Sequence, residues 1–182
     1  SPMCITALSA AMHAHSDHPR WEARLASVGT AQAPVAVRVV DSEGTPLPVG
    51  EVGEITVKGD SVMQGYWGNA EASAEALRDG WLHTGDVGSF DEDGFLTLKD
   101  RSKDMIISGG FNIFPVDLED ELAKEPDVVE AAVIGMPSER WGETPVGFVT
   151  LTPQARGCEA IREAVNARLG KTQRLAQLHA ID

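Results

Sequence analysis

The chain has 182 residues, and its 28 Asp+Glu against 15 Lys+Arg give a formal net charge of −13. Apolar residues make up 42% and charged residues 24%, ordinary values that exclude disordered, collagenous and fibrous classes. The acidic balance disfavours nucleic-acid binding. Membrane insertion is disfavoured because there is no apolar run of roughly 18 residues. Secretion is disfavoured because the first residues are not a basic stretch followed by an apolar one.

Residues 1–34 have no clean period and predict an irregular, partly helical segment. Runs bounded by glycine, proline and turn residues then predict strands at Val35–Val40 and Gly53–Gly59. Asn69 is a favourable N-cap, and we expect the helix that it begins to run to about Arg78.

A hairpin and two neighbouring aromatic residues are the remaining features of this β-rich part of the chain. An Asp-Glu-Asp-Gly turn at 91–94 joins Val87–Phe90 to Phe95–Leu98, which predicts a hairpin. Tyr66 and Trp67 are interpreted as core or turn packing.

A second unit is predicted to begin near Asp100. Met105–Ile107 predicts a short strand, and Pro115 is typical of the first turn of a helix. Two further strands and a final helix are predicted at Val128–Ile134, Val146–Leu151 and Glu159–Leu169. The resulting order in this unit is β-α-β-β-α, so the residues alone predict a two-part α/β protein.

Residues able to do chemistry first crowd together at Trp81–Asp86. The carboxylate of Asp86, next to Gly85, can accept two hydrogen bonds from a vicinal diol such as the ribose hydroxyls. On spacing alone, the capping of a turn is the favoured interpretation of Asp86.

Two more candidates lie at the start of the second unit. Arg101 can donate hydrogen bonds to a ribose, phosphate or carboxylate, or can belong to an ordinary charged linker. Gly109 and Gly110, after Ser108, permit positive φ and close approach of a ligand, or form an ordinary tight turn. Neither GxGxxG nor GxxxxGK[ST] occurs, so no dinucleotide fingerprint or P-loop is predicted.

Cysteine and histidine give no sign of a metal site. Cys4 and Cys158 lie far apart without CxxC or His spacing, which argues against a disulfide framework or zinc and fits a reducing cytoplasm. His13, His15 and His18 are interpreted as part of a solvated loop rather than as metal ligands.

Four motifs follow one another along the chain, at Gly53–Gly59, Gly65–Trp67, Gly80–Asp86 and Asp100–Gly110. A weaker pattern continues from Gly142–Pro145 to Val149. In this order the motifs resemble those of the adenylate-forming superfamily, which comprises acyl- and aryl-CoA synthetases, firefly-type luciferases and peptide-synthetase adenylation domains. The sequence DMIISGG at Asp104–Gly110 is more similar to acyl-CoA synthetases, including fatty-acid–CoA ligases, than to peptide-synthetase domains. With this resemblance the expected fold class is α+β.

The resemblance implies an AMP-forming acid–thiol ligase. Such an enzyme joins a small-molecule carboxylic acid to ATP, releases pyrophosphate and transfers the acyl group to CoA. By motif position, Asp86 and Arg101 would bind the AMP ribose, and Lys103 would be the hinge residue about which the small domain rotates. The loop Ser108–Gly110 would face the pantetheine arm.

A CoA contact is expected in residues 131–182, the only segment with a basic surplus, six Lys+Arg against five Asp+Glu. Arg140 would meet the phosphates of CoA and Trp141 would stack on its adenine. A Trp that only packs on the domain surface is the alternative.

The departures from the family predict a fragment. The phosphate loop, the magnesium-binding Glu and the catalytic lysine are missing, and Lys171 lacks the context of that lysine. We therefore expect residues 1–100 to end the large domain as a distorted, barrel-like sheet, 101–103 to form the hinge, and 104–182 to form a small domain truncated before the catalytic lysine. That lysine would lie beyond Asp182, Mg²⁺ would bind through residues outside the chain, and the fragment alone would be inactive.

Other classes of function stay open. The acceptor could be a carrier protein instead of CoA, or the chain could be a non-catalytic nucleotide-binding module. In a third class, a β-rich interaction domain, Asp86 and Arg101 would pair only with each other. The expected partners are the carboxylic acid, ATP and CoA, with no nucleic acid, and surface left uncovered in a fragment would permit a homo-oligomer.

Overall fold

The computed structural model describes residues 5–181 and contains two compact units, unit 1 ending at Ser102 and unit 2 beginning at Lys103. Both combine helices and β-sheets, which confirms the predicted α+β class. Cys4 lies outside the described residues. Within 5–181, no helix is long and apolar enough to cross a membrane.

Unit 1 begins with short elements, as residues 1–34 predict. They are β1 (Thr6–Ala7), α1 (Ala10–Ala14), α2 (Trp21–Leu25) and β2 (Thr30–Ala31). Strands β1 and β2 pair antiparallel. Ser9 begins α1, because its side chain accepts a hydrogen bond from the backbone N of Met12 at 3.2 Å.

The main sheet of unit 1 is five-stranded and antiparallel. Its strands are β3 (Val35–Val40), β4 (Gly53–Gly59), β5 (Leu77–Arg78), β6 (Trp81–Phe90) and β7 (Leu96–Arg101). The order is β3-β4-β6-β5, with β7 also paired to β6. Within the described residues the sheet is open rather than a closed barrel. One face buries the core of the unit, which contains Val35, Val39, Ile55, Val57 and Leu96.

Helix α3 (Ala70–Ala76) connects β4 to β5. Its predicted cap is confirmed, since the Asn69 side chain accepts from the backbone N of Ala72 at 3.0 Å. The predicted end near Arg78 is wrong, because residues 77–78 leave the helix and pair with β6.

The loop before α3 differs from the prediction. Trp67 is fully exposed and Tyr66 is about half exposed, so of their two predicted roles, core or turn packing, core packing is wrong. The hydroxyl of Ser73 accepts from the backbone N of Tyr66 at 2.9 Å. This loop is therefore held through its backbone and not through its aromatic side chains.

The predicted hairpin of β6 and β7 is confirmed. At its turn, Asp91 Oδ1 accepts from the backbone N of Asp93 at 3.0 Å and of Phe95 at 2.8 Å. Strand β6 starts at Trp81, well before the predicted strand, so Asp86 lies within the sheet.

Unit 2 contains two helices and a second five-stranded sheet. Its elements are β8 (Ile106–Ser108), β9 (Phe111–Ile113), α4 (Pro115–Ala123), β10 (Val128–Ser138), β11 (Gly142–Leu151), α5 (Cys158–Arg168) and β12 (Gln177–Ala180). The sheet has the order β10-β11-β8-β9, and β12 pairs parallel to β11. Strands β9 and β12 were not predicted. Strand β12 has four residues, of which only Leu178 is buried.

Each helix of unit 2 buries one apolar face. Leu118 and Leu122 of α4 and Ile161 and Val165 of α5 are fully buried. They pack into a core with residues of the sheet, which include Ile106, Ile113, Val133, Val149 and Leu178.

A charge network joins the end of α4 to α5. Glu125, only 6% exposed, accepts from Arg168 Nη1 at 2.7 Å and is also bonded to Arg156. Arg156 Nε donates to Asp127 at 2.7 Å, and Arg168 Nε donates to Glu121 at 3.0 Å. Because each charge has a partner, we interpret this network as structural.

Candidate functional site

Strand β6 bulges at the residues predicted to bind ribose. Between two paired positions, a single β4 residue, Ile55, faces the three residues Thr84–Asp86 of β6. We call Thr84–Asp86 the β6 bulge. At its centre Gly85 has a φ of +74°, a conformation that favours glycine. Bulges bend a strand and redirect its side chains, and they are common next to active sites.

The bulge places a carboxylate beside a guanidinium. Asp86 is the register partner of Arg101 on β7, and Arg101 Nε lies 3.6 Å from Asp86 Oδ1. The two side chains are 43% and 63% exposed. The carboxylate keeps several lone pairs and the guanidinium several N–H donors for a ligand. Exposed ion pairs contribute only about 0–1 kcal/mol to stability, so stability gives little reason for this pair.

The predicted hinge residue, Lys103, is exposed and is the first residue of unit 2. Its predecessor belongs to unit 1, where Ser102 N donates to the carbonyl of Gly85 at 2.8 Å. Among residues 5–181, no hydrogen bond or ion pair holds the Lys103 side chain. The hinge assignment stays a prediction.

In unit 2, the predicted glycine loop is the tight turn of the β8–β9 hairpin. Ser108 pairs with Phe111, and the two residues between them, Gly109 and Gly110, have φ values of +57° and +82°. Positive φ at both central residues is typical of a type I′ turn, which suits antiparallel strands. The tight turn is observed, and its contact with a ligand stays a prediction.

Trp141 packs on this turn. Gly109 N donates to the carbonyl of Trp141 at 2.8 Å, and a Cβ at Gly109 would lie only 2.9 Å from Cε3 of the Trp141 ring. The indole is 47% exposed. The Arg140 guanidinium lies 4.6 Å from the ring centroid, within cation–π distance. The structure therefore brings the glycine turn together with Arg140 and Trp141.

A groove of about 590 Å³ runs beside this turn, and we call it the unit 2 groove. Helix α5 and the segment before β12 form its other walls. The residues of α5 that line it include Arg162, Glu163 and Asn166. The lining contributed by the turn, by β11 and by the segment before β12 includes Ser108, Gly109, Phe111, Trp141, Thr144, Lys171, Arg174 and Leu175.

The three cations of the groove differ in their partners. Arg162 is bonded to Glu159, which raises the pKa of Arg162, and its Nη1 donates to the carbonyl of Leu175 at 3.3 Å. Lys171 and Arg174 are exposed, and within the described part of the chain neither side chain has a hydrogen-bond or ion-pair partner. Two cations are therefore free to bind an anion.

The sequence did not single out these two cations for binding. Lys171 lacks the sequence context of the catalytic lysine, and no motif includes Arg174. The basic surplus of residues 131–182 was the available signal. Glu54, whose carboxylate contacts the β6 bulge, was also missed, since its motif suggested only a strand.

A two-unit α+β chain with an exposed carboxylate–guanidinium pair and a cationic groove beside a glycine turn has the features of an adenylate-forming enzyme. Profile comparisons agree with that class. The AMP-binding enzyme family matches residues 4–67, and the AMP-binding enzyme C-terminal domain matches residues 117–182.

Individual relatives point the same way. Feruloyl-CoA synthase of Amycolatopsis sp is 51% identical over 130 residues, which are 71% of this chain and 26% of that protein. The medium/long-chain-fatty-acid–CoA ligase FadD8 of Mycobacterium tuberculosis (strain ATCC 25618 / H37Rv) is 42% identical over 169 residues, 93% of this chain and 28% of that protein.

A solved structure shares the fold. The o-succinylbenzoate CoA synthetase (MenE) from Bacillus subtilis, in complex with the acyl-adenylate intermediate OSB-AMP, superposes with a TM-score of 0.82 at 32% identity, over 98% of this chain and 35% of that one. The chain belongs to the AMP-binding, adenylate-forming enzymes and is CoA-ligase-like, which confirms the resemblance. It spans about a quarter to a third of the length of these relatives.

Proposed function

We propose that this chain is part of a longer ATP-dependent acyl-CoA synthetase, an AMP-forming acid–thiol ligase. The observation that carries the proposal is the exposed pair of Asp86 and Arg101, an acceptor and a donor side by side on the β6 bulge. The similarity to a feruloyl-CoA synthase and a fatty-acid–CoA ligase supports CoA as acceptor. Their different acids leave the acyl group of this enzyme unassigned.

The proposed reaction has two steps. A carboxylate oxygen of the acid attacks the α-phosphorus of ATP, the bond to the β-phosphate oxygen breaks, and pyrophosphate leaves. The sulfur of CoA then attacks the acyl carbon, its proton is lost, and the acyl–oxygen bond to AMP breaks. In both steps Asp86 accepts hydrogen bonds from the ribose hydroxyls and Arg101 contacts the same sugar, which keeps the α-phosphate in one position.

The unit 2 groove is the proposed CoA site. Lys171 and Arg174 have no partner among the described residues, so they can pair with phosphates without first breaking an ion pair. Such cations give a local attraction for polyanions on a chain whose net charge is −13. Trp141, with Arg140 beside it, offers an exposed face for adenine.

The β8–β9 turn lines the same groove at Ser108 and Gly109, and the loop Ser108–Gly110 is the proposed pantetheine contact. With no side chain on Gly109 or Gly110, a thin pantetheine arm can pass close to the backbone. The CoA contact expected at Arg140 and Trp141 is thereby extended to residues that line one groove with Trp141.

We further propose the predicted domain division for the longer protein. Residues 1–100 end the large domain, 101–103 form the hinge and 104–182 belong to the small domain. The change of compact unit at Lys103 supports this division, as does a Lys103 side chain with no bond to lose when its backbone rotates.

Magnesium and the catalytic lysine are assigned to residues outside this chain. Among residues 5–181, no three His, Cys, Asp or Glu side chains come together in a group that could hold a metal ion. No step of the proposed reaction is assigned through Mg²⁺, and no lysine of this chain is assigned as the catalytic one.

The test is ATP-dependent thioester formation by the full-length protein, read by mass spectrometry over a panel of aryl, fatty and dicarboxylic acids with CoA. We expect a CoA thioester. Adenylate without thioester would contradict CoA as acceptor and favour a carrier protein, and neither product would favour a non-catalytic module. The isolated chain should show no ATP–pyrophosphate exchange, and exchange by a preparation free of longer protein would overturn the assignment of catalytic groups elsewhere.

A further inference from the structure

The β6 bulge is held by a side chain from the neighbouring strand. The carboxylate of Glu54 on β4 accepts a hydrogen bond at Oε1 from the backbone N of Gly85, at 3.2 Å. Gly85 immediately precedes Asp86 and has a positive φ, so its peptide orientation sets where the Asp86 side chain leaves the strand. Within the bulge there is no ladder partner on β4 for this N–H, and Glu54 takes the place of one.

The other Glu54 oxygen is held as well. Oε2 lies 2.7 Å from His83 Nδ1 and 3.6 Å from Arg78 Nη2. The His83 nitrogen is also 2.7 Å from Arg78 Nη2, and it can accept from Arg78 only when unprotonated and donate to Glu54 only when protonated. The bond from Gly85 to Glu54 is the same in both cases.

A second contact fixes the same three residues from the side of Thr84. Its hydroxyl donates to the carbonyl of Ile55 at 2.8 Å and accepts from the backbone N of Asp86 at 3.1 Å. Both anchors come from neighbouring positions of β4. The bulge is therefore fixed at Thr84 and at Gly85 before any ligand arrives.

We propose that Glu54 is a positioning residue for the ribose site, whose Oε1 holds the Gly85 peptide so that the Asp86 carboxylate faces the ribose diol. The inference rests on the proposed function, in which Asp86 binds that diol. Glu54 itself does not contact the nucleotide. Glu54 acts through its hydrogen bond with the backbone N of Gly85, so the length of its side chain matters and its charge does not.

The readout is the preference of the full-length enzyme for ATP over 2′,3′-dideoxyATP, measured as the ratio of kcat/KM values in pyrophosphate exchange. Removing a support that places a binding group can cost about 10- to 100-fold. We expect Glu54→Ala to lower the ratio by about tenfold or more. A residue that only stabilised the fold would affect both nucleotides equally and leave the ratio unchanged.

Two conservative variants separate reach from charge. Glu54→Gln keeps an acceptor oxygen at the same distance and should retain nearly the wild-type ratio. Glu54→Asp keeps the charge but is one methylene shorter, so it should behave like Glu54→Ala. Arg78→Ala, which removes a neighbour of Glu54 that makes no bond to the bulge, is the matched control and should leave the ratio unchanged.

The outcomes also separate this inference from the proposed function. If Asp86→Ala leaves the ratio unchanged, the ribose assignment itself fails. If Asp86→Ala abolishes the preference but Glu54→Asp and Glu54→Ala do not lower it, only the positioning role is overturned. Equal ratios for Glu54→Gln and Glu54→Ala would likewise overturn it, and melting temperatures identify any variant that fails to fold.

Discussion

The β6 bulge and the unit 2 groove differ in whether their charged side chains already have a partner. At the bulge, Asp86 already has a cation beside it, Arg101, and its backbone is fixed by hydrogen bonds on both sides. In the groove, Lys171 and Arg174 have no partner among the described residues, and the rigid part is the glycine turn with its indole.

The difference matches the ligands proposed for the two regions. A ribose is neutral, so a site for it gains selectivity from acceptors and donors fixed at the spacing of two hydroxyls. A polyanion is attracted over longer distances, so exposed cations without competing carboxylates are sufficient. The network around Glu125 is a third case, because Arg156 and Arg168 are already fully engaged.

The largest expected effect is at the bulge. Asp86→Ala in the full-length enzyme should lower kcat/KM for ATP in pyrophosphate exchange by at least about 100-fold, because charge-assisted hydrogen bonds are worth about 1.5–3 kcal/mol each. The melting temperature should change little, since the Asp86–Arg101 pair is exposed. Asp60→Asn, an exposed acid elsewhere in unit 1, is the control. A collapse in stability together with activity would make the pair structural.

The engaged charges of unit 2 should affect stability instead. Glu125→Ala leaves Arg156 and Arg168 without their shared carboxylate, which is 6% exposed. We expect the free energy of unfolding in urea to fall by about 2–3 kcal/mol, below the 3–5 of fully buried pairs because both arginines are partly exposed. Glu159→Ala, at an exposed pair on α5, should have a much smaller effect. Similar losses in both variants would contradict the role of burial.

The free cations of the groove should affect the binding of CoA and leave the stability of the fold unchanged. The double variant Lys171→Ala/Arg174→Ala should raise KM for CoA about tenfold, as expected for two exposed contacts of about 0.5–1 kcal/mol each, and the wild-type KM should rise with salt. Pyrophosphate exchange should be unchanged. Lys124→Ala, in which the lost cation pairs with Glu121 away from the groove, is the control. An unchanged KM would exclude the groove as the phosphate site.

Local signals in the sequence were sufficient for much of the fold. Glycine, proline and turn residues on either side of β3 and β4 predict where these strands begin and end. The β6–β7 hairpin is predicted by its turn sequence, in which the Asp91 side chain accepts a hydrogen bond from the backbone N of Phe95. Strand β12, which was missed, has only four residues and depends on a distant partner, since it pairs parallel with β11.

The residues of the candidate site also fall into those that local motifs predict and those that only distant contacts bring together. Motifs identified Asp86 and Arg101, and the structure places them on paired strands. Lys171 and Arg174 face Gly109 only because the chain after α5 returns to the β8–β9 turn, so their spacing in sequence carried no signal. Glu54 was missed for a related reason, since its role depends on a register shift between two strands.

The smallest expected effect is a difference between the two units in how their stability changes as pH falls. In unit 2, hydrogen bonds from Lys124 and Arg168 lower the pKa of Glu121 from its ordinary 4.5. In unit 1, bonds from Arg24 and Arg20 lower the pKa of Asp93 from 3.8. A carboxyl with a lower pKa in the folded state binds fewer protons than in the unfolded state. Its stabilisation is therefore present above the unfolded pKa and is lost as pH falls through the folded pKa.

Melting temperatures of the chain between pH 6 and pH 3 should show the contribution of Glu121 beginning to fall near pH 4.5 and that of Asp93 only near 3.8. Lys124→Ala removes a hydrogen bond that lowers the pKa of Glu121, so the loss of stability just below pH 4.5 should become smaller and the loss below pH 3.8 should stay the same. Arg24→Ala should reduce the loss below pH 3.8 and leave the loss just below pH 4.5 unchanged. If Lys124→Ala left the loss below pH 4.5 unchanged or steepened it, Lys124 would not lower the pKa of Glu121, and the ion pair at the end of α4 would not stabilise the fold.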